Sequence, residues 1–94
     1  MARASSKILP VLGKTVDGRT VVGGVFQFYD TYGIPLESIL DVLKDVKMVP
    51  SWPQFVQDAL AGGWTKKKTL NILAPALLEI YGSEYRNTVI GRLM

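Results

Sequence analysis

The sequence predicts an all-α fold: a compact bundle of four to five short helices with a basic N-terminal arm. Three observations predict it. Apolar residues recur at helical spacing from residue 20 onward. Proline, glycine and hydroxyl residues punctuate that pattern where helices start and stop. The connections left between them are two to five residues long, as in small helical bundles. At 94 residues there is room for one domain, read as an arm over 1–19 and a single helical domain over 20–94.

Residues 1–19 hold Ser5, Ser6, Pro10, Gly13 and Gly18 and show no helical period. Asp17-Gly18 lies between two short β-compatible runs, the signature of a tight hairpin, so a short hairpin has a place here. In the first helix Val21, Val25, Phe28 and Tyr32 fall at i, i+4, i+7 and i+11, against the cost of Gly23 and Gly24 in a helix interior. Gly33 ends it. Pro35 suits the start of a second helix, whose apolar stripe is Leu36, Ile39, Leu40, Leu43 and Val46 and whose wet face is Glu37, Asp41, Lys44 and Asp45.

Pro50 ends that element and Ser51 caps a third helix, with Trp52, Phe55, Val56, Ala59 and Leu60 at helical spacing up to Gly62-Gly63. Thr65 caps the fourth, with Leu70, Leu73, Ala74, Leu77 and Tyr81 inward and Pro75 expected to kink it. After Gly82-Ser83 a last short helix carries Tyr85, Val89 and Leu93 on one side.

Composition excludes several function classes. Without cysteine there is no disulfide framework, thiol nucleophile or thiolate metal site. Without histidine the commonest general base and zinc ligand are both missing. The apolar run ILPVLG near the N-terminus is interrupted by Pro10 and stopped by Lys14, too short for a signal peptide, so a cytoplasmic protein with no membrane span is expected. Hydrophobic residues make up 48% of a chain that can bury only a modest core, so part of the apolar surface is expected to meet a partner.

The net charge of +3 is segregated. Residues 1–19 carry four bases against one acid, 20–60 two bases against five acids, and 61–94 five bases against two acids. A basic, acidic, basic order suits either an anionic partner or docking between copies of the chain.

Four motifs bear on chemistry. Gly13-Lys14-Thr15 has the tail of a phosphate-binding loop, but Ile8 stands where its first glycine is needed. The string FYDTYGIP resembles a stretch of alanyl-tRNA synthetases, matching at Tyr29, Asp30, Thr31, Tyr32, Gly33 and Pro35. That family's ATP-binding motifs are missing, so the likeness implies a shared helix corner and not aminoacylation. The same residues fit a helix-turn-helix frame starting at Val25, with Phe28, Tyr32, Ile34, Ile39 and Val42 at its apolar positions. Its outer face offers Glu37, Ser38 and Asp41 to phosphates that need cations, so this corner reads as architecture. Glu37, Asp41 and Asp45, spaced by four, read as a solvated face rather than a metal site.

The remaining clue is GGWTKKKTL. Lys66, Lys67 and Lys68 fill the first turn of a helix, where cations oppose the macrodipole. With Thr65 they form a candidate contact for phosphate or nucleic acid, to which Arg3, Lys7, Lys14 and Arg19 would add a second clamp. Trp52, Trp64, Tyr81 and Tyr85 are candidate interface anchors. The expected function is a non-catalytic protein-interaction or assembly module that self-associates or binds another protein. Nucleic-acid binding is the alternative. No enzyme activity, cofactor, metal or small-molecule substrate is expected.

Overall fold

The computed structural model of the protein describes residues 9–94; Arg3 and Lys7 lie outside them. The fold is mostly helical but not purely α. Its elements run β1 (Val11–Lys14), β2 (Thr20–Val22), α1 (Val25–Tyr32), α2 (Leu36–Asp45), β3 (Met48–Pro50), α3 (Trp52–Ala61), α4 (Lys66–Tyr81) and α5 (Ser83–Leu93).

The three strands correct the all-α expectation. They form one sheet in the order β1-β2-β3, with β1 antiparallel to β2 and β3 parallel to it. The hairpin turns at Asp17-Gly18, where Gly18 has φ 89°, and Thr15 and Arg19 close it by a backbone bond of 2.8 Å. Across the sheet Thr20, Val21 and Val22 face Met48, Val49 and Pro50. Pro50 has no N–H to give, so the Ser51 N–H donates to the Val22 carbonyl at 2.9 Å and carries the pairing past it.

A second correction concerns the first helix, which starts at Val25 and not near Thr20. Val21 repeats with Val25 at helical spacing, yet it belongs to β2. The break is Gly24, whose φ of 75° no helix interior accommodates. Gly23 is buried beneath Leu12: a Cβ added there would stand 3.1 Å from Leu12 Cδ1. Leu12 is the extra residue of a bulge in β1, and its side chain covers the hairpin's exit.

The core lies where the helices meet the sheet. Val22, Val25, Phe26, Leu36, Ile39, Leu40, Leu43, Val49, Trp52, Phe55, Ala59, Leu73, Ala76, Leu77 and Val89 form one buried cluster. Phe26 joins α1 to α3 edge-on against Phe55, with centroids 5.5 Å apart. Ser51 caps α3 by accepting from the Gln54 N–H at 3.4 Å. Gly63 closes that helix at φ 93°, with the Trp64 N–H on the Ala59 carbonyl and its own N–H on the Leu60 carbonyl.

Several inward assignments shift. Val46 and Leu60, placed in apolar stripes, are 55% and 45% exposed. Along α4 the fully buried residues are Thr69, Leu73, Ala76 and Leu77, while Leu70, Ala74 and Tyr81 are half-buried. A hydroxyl reaches the core because Thr69 Oγ1 donates back to the Thr65 carbonyl at 2.8 Å, which satisfies it inside its own helix. Helix α4 runs without interruption through Pro75, which is exposed.

Gly33 ends α1 in the left-handed conformation, φ 68°, with its N–H on the Tyr29 carbonyl at 3.0 Å. Nothing lies within 4 Å of an added Cβ, so conformation alone selects glycine. Gly33→Val should therefore cost about 1–2 kcal/mol, more than a surface change elsewhere. Urea denaturation measures it, and an unchanged midpoint would contradict the corner. Tyr32 and Val42, two of the apolar helix-turn-helix positions, are 58% and 62% exposed, and α1 packs on α3 instead.

Candidate interaction surfaces

Thr65 caps α4, its Oγ1 accepting from the Lys68 N–H at 3.1 Å, and this places the lysine run on the first turn. All three lysines are exposed. Two of them are engaged within the chain. Lys68 Nζ stands 4.5 Å above the Trp64 ring, a cation–π contact. Lys66 Nζ donates at 3.5 Å to the carbonyl of Met94. Helices α4 and α5 are joined at Gly82 and pack against each other, so the positive start of α4 lies beside the negative end of α5. Lys66 thus meets the Met94 carbonyl at the end of α5, where a cation is favoured.

The other described cations do not converge on this turn. Lys14 is exposed on β1. Arg19 pairs with Asp17 at 3.5 Å and lies 6.0 Å from the Tyr81 ring centroid. Tyr81 is the last residue of α4, about 22 Å along the helix axis from Lys66. The hydrogen bond from the Thr15 hydroxyl holds the Asp17 carboxyl below its usual range; slight burial opposes this and the Arg19 charge adds to it.

The candidate aromatic anchors fall into two groups. Trp64 packs edge-on against Phe26, 5.1 Å between centroids, and Tyr29, 6.2 Å. Trp52, Tyr81 and Tyr85 form the other group, with Tyr81 and Tyr85 4.7 Å apart. Trp52 is 8% exposed, and its indole N–H donates to the Tyr85 hydroxyl at 2.9 Å. Lys44 Nζ donates to the Ile80 carbonyl at 2.9 Å and lies 6.0 Å from the Tyr81 ring centroid. The Tyr81 hydroxyl is buried without a partner among the described residues. Burial pushes this phenol up to about 12, with Tyr85 adding to the rise and Arg19 opposing it.

A cleft of about 330 Å³ opens between the sheet, the start of α3 and α5, over Val21, Val49, Trp52, Tyr85, Val89 and Leu93. Arg92 is the charged group in its lining, and no carboxylate joins it. The cleft therefore offers no acid–base pair. Among the described residues no cluster of metal-ligating side chains occurs, and no helix is long and apolar enough to cross a membrane.

Beyond the candidate site residues, the hairpin and α2 also expose large apolar side chains. Val11, Leu12 and Val16 of the hairpin are 66%, 54% and 109% exposed. The outer edge of β1 is nevertheless blunted, with Pro10 before it, a bulge at Leu12 and Lys14 at its end. Helix α2 differs. Its buried stripe of Leu36, Ile39, Leu40 and Leu43 faces the core, while Val42 and Val46, one turn apart, point outward beside exposed Asp41 and Asp45. The signal in the sequence was Val42, an apolar residue off the stripe. Comparison with known protein families, curated proteins and solved structures finds no match to this chain.

Proposed function

We propose that the protein is a non-catalytic assembly module that associates with copies of itself. The observation that carries this reading is the second apolar row on α2, Val42 and Val46, exposed although the helix already supplies four side chains to the core. Two exposed valines a turn apart, rimmed by charged residues, suit a docking face. The absence of cysteine and histidine from the sequence supports a binding role over a catalytic one. Nucleic-acid binding has less support, because Arg19 lies beside Tyr81, at the far end of α4 from Lys66, Lys67 and Lys68.

Sedimentation equilibrium over a hundredfold concentration range tests the proposal. The apparent mass should rise with concentration and the rise should persist in high salt, since apolar burial is screened little by ions. A constant monomer mass would defeat it.

A further inference from the structure

Resting on the self-association reading, we infer that the outer ridge of α2 on one copy seats in the groove between α4 and α5 on another. The groove, about 520 Å³, is lined by Leu70 and Ala74 of α4 and by Ile90 and Met94 at the end of α5, with Lys66 and Lys67 at its rim. Each feature repeats at four residues: Val42 and Val46 on the ridge, Lys66, Leu70 and Ala74 on one wall, Ile90 and Met94 on the other. Rows spaced by four are the ridges and grooves through which helices interlock.

Charge selects this occupant. The ridge carries Asp41 and Asp45 beside its valines, and neither has an ion-pair partner among the described residues; of the bases nearby, Lys44 turns to the Ile80 carbonyl and Lys47 lies beyond the end of the helix. The groove carries two lysines beside its apolar walls. An acidic apolar ridge and a basic apolar groove on the same chain are complementary, while ridge on ridge or groove on groove sets like charges together. The contact is therefore between unlike surfaces, so copies can add head to tail. The bond from Lys66 to the Met94 carbonyl, at 3.5 Å, is long enough to yield to a carboxylate.

The test reverses each side separately. Asp41→Lys with Asp45→Lys, and Lys66→Glu with Lys67→Glu, should each weaken self-association by about tenfold at low salt, because two attractive pairs become repulsive. Mixing the two variants in equal amounts should restore it, as should all four changes in one chain. All sites are exposed, and circular dichroism checks that each variant remains folded. If the wild-type protein associates but neither reversal weakens it, or mixing restores nothing, this docking mode is wrong and self-association stands by another surface. If the wild-type protein remains a monomer, both readings fall.

Discussion

Phe26→Ala is expected to lower the free energy of unfolding by about 3–5 kcal/mol, as for other buried phenylalanines cut back to alanine. The ring is 3% exposed and sits at the centre of an aromatic group, edge-on to Phe55 and Trp64 and tilted on Tyr29. Its removal strips all three of a partner. The space cannot close easily, because the Trp64 backbone N–H is bonded to the Ala59 carbonyl and Phe55 sits within α3. For a domain whose whole stability is about 5–15 kcal/mol, this is a third or more of the total in most of that range. Urea denaturation gives the loss directly. A change below about 1 kcal/mol would show that Phe26 does not join α1 to α3.

Tyr81→Phe should act in the opposite direction. The phenol oxygen is buried and unpartnered, so deleting it removes a desolvation cost of about 1 kcal/mol or more while keeping the ring that packs on Trp52 and Tyr85. The pH dependence should change as well. Burial raises the folded pKa of Tyr81 from 10.0 to about 12, so the unfolded chain releases this proton first as pH rises. The stability associated with the neutral phenol is complete below pH 10 and is lost as pH climbs through 12. Phenylalanine has no proton to lose. The stability difference between variant and wild type should therefore widen above pH 10. Urea midpoints taken from pH 8 to pH 12 would measure it, and parallel curves would contradict the buried hydroxyl.

How much of this was legible in the sequence differs by element. The starts and stops of α3 and α4 were, because Ser51, Gly63 and Thr65 act through local backbone geometry that residue type alone determines. The left-handed Gly33 was legible for the same reason. The sheet was not. Three residues, Met48 to Pro50, look like a linker ending in proline, and their pairing with Thr20–Val22 depends on a segment 28 residues earlier. Val21 and Val25 share a helical spacing that the fold never uses. The end of α2 was hidden too, because the residue beyond it with positive φ, 59°, is Lys47 and not glycine. Among the candidate site residues, the sequence located the lysine run on its helix but could not show Met94 and Trp64 arriving beside it.

The parallel pairing of β2 with β3 also fixes the earliest moment at which the sheet can exist. During synthesis β1 and β2 leave the ribosome ahead of β3, so β2 lacks its second neighbour until Pro50 has emerged. A hairpin alone in water is marginal, so until then Val21 and Val22 remain an open edge beside whatever nascent chain is near. The pairing must also close over the whole of α1 and α2, an entropic cost that adjacent helices such as α4 and α5 largely avoid. The two strands of the hairpin thus wait on a partner made after two intervening helices, whereas α4 and α5 need only each other to pair.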